Sequence, residues 1–302
     1  ISWDLMMIGW VISILQLGFV ANRRINELFR RSAEIVDGPS TVSRTPKSGH
    51  IEFKNVSVQF EEHTVLRDLS FEIEVGKTVA LAGKTGAGKT TLLNLLPRLV
   101  DVSAGEVFID GINAKDYQLE SLRNLIGFVP QEAYLFSDSI QNNLKYGNDD
   151  ADPQEIDAAL RVSRLSNDLE QLDGAIDTLI GERGASLSGG QKQRAALARA
   201  ILKDAPILVL DDALSHVDTH TEEEILGELE QYMNGRSPLL VAHRTSTLRT
   251  ADEILMLQDG EITEKGSHSE LVEKGGAYSE LYKEQLLIEA RGPDLDNIEI
   301  AD

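Results

Sequence analysis

Eight consecutive residues, Gly83-Lys84-Thr85-Gly86-Ala87-Gly88-Lys89-Thr90, set glycine, lysine and hydroxyl in an order suited to holding phosphate. Glycines let successive backbone N–H groups turn inward as an anion nest at a helix N-terminus, where the helix dipole adds to the attraction. Lys89 supplies a point charge for the β- and γ-phosphates of a nucleotide, and Thr90 a hydroxyl for Mg²⁺. The motif carries weight only between a strand and a helix. Residues 79–82 read as a short apolar strand before it, and 91–96, starting at Thr91, as helix after it.

A second apolar strand, 207–210, runs into two carboxylates, Asp211 and Asp212. Ligands bind where parallel strands end. Asp211 is placed to hold Mg²⁺ and Asp212 to polarise an attacking water. A third strand, 239–242, delivers His243 to the same edge, where its imidazole is in reach of a γ-phosphate.

Ser188 follows Lys89 by 99 residues and opens Ser188-Gly189-Gly190-Gln191, ahead of an amphipathic helix over 192–202. A serine and two glycines at a helix start form another anion site, to which Gln191 adds an amide donor. Two phosphate sites of different design in one chain point to a nucleotide shared between two copies arranged head to tail.

These residues resemble the nucleotide-binding domain of an ABC transporter: the P-loop at 83–90, the signature at 187–191 and Walker B at 207–212. The resemblance covers about 50–285 and makes Gln131 the Q-loop residue, a contact of both metal and attacking water, Asp218 the D-loop and His243 the H-loop. The stretches 135–143 and 180–184 resemble the exporter branch, in which a membrane domain precedes the ATPase on one polypeptide. The implied fold is α/β: a P-loop core of RecA-like parallel sheet plus an antiparallel β subdomain, with a helical signature subdomain over about 133–198. The implied cofactors are ATP and Mg²⁺, and the implied partner is a second half-transporter.

Three positions depart from the family pattern. Phe60 stands where an adenine-stacking tyrosine is usual, and offers a π face without the hydroxyl. His216 replaces a small D-loop residue. Asp212 replaces the usual glutamate base and is one methylene shorter, and misplacing a base by around 1 Å costs on the order of 100-fold. The chain therefore resembles the half of a heterodimeric exporter that binds ATP at its own site and hydrolyses it weakly; the alternative is that Asp212 reaches its water through a backbone shift.

Positioning such a site takes a core, and 302 residues with 41% hydrophobic and 26% charged composition supply one. Zero cysteines exclude disulfides and thiolate metal sites. The net charge of −21 has the wrong sign for coating nucleic acid. It counts against a soluble ABC ATPase of chromosome or ribosome, as does the 99-residue spacing, too short for a long coiled coil.

At the start of the chain, the apolar run 5–21 precedes Arg23, Arg24, Arg30 and Arg31. It reads as the end of a last transmembrane helix, cut at its start, with its C-terminal side and the ATPase in the cytoplasm. An importer's separate ATPase subunit would lack this run. The expected organisation is helix and extension over 1–36, linker over 37–49, ATPase over 50–285 and acidic tail over 286–302. Segment 136–182 carries three basic and eleven acidic residues, as suits a solvated surface.

Overall fold

The computed structural model of the chain describes residues 2–30, 32–38, 41, 48–169, 172–242 and 244–291. Two compact units result, Ile1–Val36 and Asp37–Asp302. Most of the expected linker, the tail from 292 onward and His243 lie outside the described residues.

The first unit holds one helix, α1 (Ser2–Phe29). Its 24-residue segment Met6–Phe29 has a mean hydropathy of 1.3 and none of it is buried. At 1.5 Å per residue that segment extends about 36 Å, enough by length and composition to cross a hydrocarbon core of about 30 Å. The Ser13 hydroxyl donates to the Gly9 carbonyl at 3.0 Å, which satisfies it within the helix. Arg23 and Arg24 continue the same helix, and Arg23 pairs with Glu27 one turn on at 3.1 Å.

The second unit begins with a twisted hairpin, β1 (Ile51–Phe60) and β2 (His63–Ile73), followed by β3 (Val79–Ala82) and α2 (Lys89–Leu95). Next come β4 (Ala104–Ile109), β5 (Ile112–Asn113), α3 (Leu119–Asn124) and β6 (Ile126–Val129). A helical stretch follows: α4 (Ile140–Lys145), α5 (Pro153–Val162), α6 (Ser166–Leu169) and α7 (Gly189–Leu202). The chain then returns to strands with β7 (Ile207–Asp211), α8 (Thr219–Met233), β8 (Ser237–Val241) and α9 (Thr245–Arg249). It closes with β9 (Glu253–Gln258), β10 (Glu261–Gly266), α10 (His268–Lys274) and α11 (Ala277–Arg291).

Two sheets organise this unit. The first has the order β2-β1-β4-β5 and antiparallel pairing throughout; the second runs β10-β9-β3-β8-β7-β6, parallel except at β10. The parallel strands β3, β7 and β8 are buried along their whole length, so they read in sequence as mostly apolar runs, broken by Ser237 at the start of β8 and Asp211 at the end of β7.

Alternation along those strands separates the cores. Val79, Leu81, Ile207 and Val209 pack with the antiparallel sheet and α2. Leu208, Leu210 and Leu240 point the other way and share a core with α4, α5, α7 and α8. Ala80, Ala82, Ile254 and Met256 pack against Leu248, Leu271 and Tyr278. The helices of 140–202 thus continue one face of the sheet. The fold is the mixed α/β P-loop arrangement expected from the sequence.

Candidate functional site

The phosphate loop leaves the end of β3 and enters α2, which starts at Lys89 itself. Gly88, the residue before α2, has φ of +102°, and a Cβ there would stand 2.7 Å from the Leu66 side chain. Only glycine fits both the backbone angle and the space. No side chain caps α2. Its first-turn N–H groups, which no helix can satisfy internally, are left to an outside acceptor.

Lys89 is buried, and its ammonium donates to the carbonyls of Gly83 at 2.6 Å and Lys84 at 3.0 Å. Burial lowers its pKa, against the opposing pull of the Asp211 and Asp212 carboxylates. Those three charged groups share one cleft with Thr85, Gly86, Gly88, Thr90, Thr91 and Gln131, with Val65 of β2 and Val241 of β8 in its walls. The strand order explains the meeting: β3 and β7 flank β8, so their C-terminal ends bring the loop and the carboxylates to one edge.

A hydroxyl and a carboxylate are hard oxygen donors of the kind Mg²⁺ takes when phosphate and water complete its shell. Among the described residues no group of three or more His, Asp or Glu side chains forms a cation cage. Asp211 is almost wholly buried. Asp212 follows it with φ of +49°, a left-handed conformation that aspartate adopts more readily than most residues.

Phe60 is not in this cleft's lining. It is 46% exposed and pairs with His63 at the end of the β1–β2 hairpin, so its ring lies open rather than in the core.

The second motif is built differently. Ser188 is the N-cap of α7: its hydroxyl accepts from the Gln191 N–H at 3.2 Å, while the Gln191 side-chain oxygen accepts from the Ser188 N–H at 2.9 Å. The Gln191 amide nitrogen donates inward, to Asp168 at 3.2 Å. Asp168 also pairs with Arg194 at 2.6 Å. Gly189 and Gly190 lie against the loop that follows β7: Cβ atoms there would stand 3.4 Å from the His216 ring and 2.9 Å from the His216 carbonyl. His216 is thus packed onto Gly189 and Gly190 of its own chain. Asp218 caps α8, accepting from the Thr221 N–H at 3.0 Å, and that bond holds its carboxyl below the usual carboxylate range.

Side chains that no local motif announced hold these loops. Arg244 donates to the carbonyls of Val217 at 2.8 Å and Ser215 at 3.2 Å, and forms an ion pair with Glu222, a carboxylate only 1% exposed. Thr247 and Ser246 donate to that same carboxylate at 2.7 and 3.0 Å. After Gln131, the fully buried Asn143 accepts from the Phe136 N–H at 2.8 Å and donates to its carbonyl at 3.0 Å. Arg199 of α7 ties that segment down through the Asn143 carbonyl at 2.9 Å and the Tyr134 carbonyl at 3.1 Å.

The family model described as ABC transporter matches residues 66–215. Over 278 residues the chain is 41% identical to the ATP-dependent lipid A-core flippase of Vibrio vulnificus (strain CMCP6), an alignment of 91% of this chain and 47% of that protein. The flippase of Hahella chejuensis (strain KCTC 2396) is 43% identical over 278 residues, with 91% and 47% covered. The chain spans about half the length of the curated relatives it matches. Among solved structures, a bacterial Atm1-family ABC exporter with ATP bound superposes with a TM-score of 0.84 at 36% identity, covering 92% of this chain and 49% of that one. By this family match and these likenesses, the chain carries an ATP-binding domain of the ABC transporter family, similar to those of the exporters above.

Proposed function

We propose that this chain is the ATP-binding and ATP-hydrolysing part of a membrane exporter, working as one of two head-to-tail halves. The observation that carries the reading is the single cleft joining Lys89, Thr90, Gln131, Asp211 and Asp212 at the start of an uncapped helix. ATP binds there with its phosphates on the N–H groups of 86–90 and on Lys89. Thr90, Asp211 and Gln131 hold the Mg²⁺, which when bound neutralises charge on the β- and γ-phosphates. Asp212 accepts the proton of the attacking water, with His243 as a further γ-phosphate contact, and Phe60 offers its exposed ring to adenine.

The signature serves the nucleotide of the other copy. Ser188 and Gln191 cap each other at the start of α7, where Ser188 and Gly189 are exposed and Gly190 is buried against the 212–216 loop. Helices 140–202 form the lobe, about 133–198, that presents it. Asp212 makes this chain's own site the slower of the two, and a partner carrying glutamate turns over against this chain's Ser188. Helix α1 continues a membrane domain, with the ATPase on the cytoplasmic side. The names of the flippase relatives make an amphipathic lipid the first substrate class to test.

Nucleotide titration with and without Mg²⁺ tests the central binding claim. Lys89→Ala should lower MgATP affinity about 10- to 100-fold or more, because the charge-assisted contact it removes is worth about 1.5–3 kcal/mol or more. Undiminished affinity in that variant overturns the reading.

A further inference from the structure

The turn that carries Asp212 and the start of α7 are joined by one side chain, Gln193. It is 2% exposed, and both ends of its amide are committed to residues 212–216. Its oxygen accepts from the His216 N–H at 2.8 Å. That bond fixes the orientation of the amide, so the nitrogen faces Ser215 Oγ at 2.9 Å and His216 Nδ1 at 3.0 Å. Ser215 in turn donates to the Asp212 carbonyl at 3.0 Å. A continuous chain of hydrogen bonds therefore runs from the signature helix through Gln193 and Ser215 to the backbone of Asp212.

Packing alone does not call for this arrangement. A leucine or methionine fills a buried helix position without needing partners, whereas a buried amide is costly unless every bond is made. The bonds fall on a turn that needs support, since Asp212 sits at φ of +49° and such a conformation persists only where its surroundings hold it. The same loop presses the His216 carbonyl and ring against Gly190 and Gly189.

We propose that Gln193 is a positioning residue that couples the two half-sites of one chain: the turn bearing Asp212 over its own nucleotide, and the α7 start offered to the partner's. The proposal rests on the head-to-tail reading above. A shift of the signature on engaging the partner's nucleotide then moves the Asp212 turn with it, and the reverse.

The test uses the full-length transporter with its partner copy, reading the kcat and KM of ATP hydrolysis and, separately, nucleotide affinity at this chain's P-loop. Gln193→Leu should lower kcat of the pair about tenfold or more by releasing the α7 start that faces the partner's nucleotide, since small misplacements at a reacting site cost up to about 100-fold. KM and nucleotide affinity should stay within about twofold, because Gln193 does not line the phosphate cleft and meets it only at the Asp212 carbonyl, away from Lys89 and Thr90. Ser215→Ala, a partly exposed change that takes one partner from Gln193 and so loosens the α7 start, should lower kcat of the pair about threefold; the double variant should be no worse than Gln193→Leu, as for residues in one chain. Turnover within twofold of the unaltered protein in both single variants, losses that multiply in the double variant, or a matching loss of nucleotide affinity would each overturn the proposal. Ser188→Arg separates the two levels. If it stops hydrolysis while Gln193→Leu does not, the coupling fails and the head-to-tail reading stands; if it leaves hydrolysis intact, both fall.

Discussion

Three glycines in the 83–90 loop carry positive φ, whereas Gly189 and Gly190 have ordinary backbone angles and are small because His216 lies against them. The two motifs look alike in composition and differ in physics. In the first, glycine permits a backbone path that aims N–H groups at an anion, and the following helix has no side-chain cap. In the second, the helix is capped from within by Ser188 and Gln191, and glycine permits close approach of another loop of the same chain. A phosphate cradle is built to be completed by its ligand. Under the proposed head-to-tail arrangement, a capped helix start packed on the 212–216 loop holds its shape until a second surface arrives.

The sharpest way to break this contrast is to move charge in each motif in turn. Lys89→Ala should reduce MgATP affinity by about 10- to 100-fold or more, read by titration, since it removes a charge-assisted contact of about 1.5–3 kcal/mol. Ser188→Arg should leave that affinity within about twofold and stop hydrolysis by the assembled pair, because arginine fills the shared phosphate pocket rather than the cleft at Lys89. Equal loss of binding in both variants would erase the distinction.

Asp212 sharpens it at the level of chemistry. Asp212→Glu should speed hydrolysis by the isolated chain about tenfold if reach is the defect, while Asp212→Asn should change turnover by the pair less than about twofold, phosphate release being the readout. A full loss in Asp212→Asn makes this site catalytic and argues for two equal sites.

The glycines come next. Gly88→Ala and Gly190→Ala should each cost about 1–3 kcal/mol of stability in urea unfolding, the first through strain at positive φ and the second through contact with a backbone carbonyl. Only the first should also weaken nucleotide binding. Ser188→Ala is the smallest change, and should cost about 1 kcal/mol through loss of the cap.

The strands and turns of this site were legible because their causes are local. Strand β3 and residues 207–210 of β7 are apolar since both faces are buried, and the start of α7 shows in the spacing of Ser188 and Gln191, which cap each other. The helix boundaries moved by a few residues because the loops end in helical geometry, α2 at Lys89 and α7 at Gly189. Long-range partners left no such trace. Gln193 meets residues 212–216, Arg199 meets Asn143 and Tyr134, and Asp168 meets Gln191 and Arg194, each across 19 or more residues of chain. A polar residue inside an amphipathic helix looks like any solvated one until the fold buries it. Phe60, whose place in the motif implied a ring for adenine, lies exposed at the end of the β1–β2 hairpin beside His63, outside the lining of the phosphate cleft.

The composite nature of the sites is tested most directly by placing two lesions in one chain or splitting them between two. A transporter pair is assembled either with Lys89→Ala and Ser188→Arg together in this chain beside an unaltered partner, or with Lys89→Ala in this chain and the equivalent signature arginine in the partner. If each nucleotide lies between one copy's P-loop and the other's signature, the split arrangement keeps one intact site and hydrolyses ATP, while the combined arrangement damages both sites and does not. Hydrolysis by the combined pair and none by the split pair would show that each chain completes its own site, and would contradict the head-to-tail arrangement.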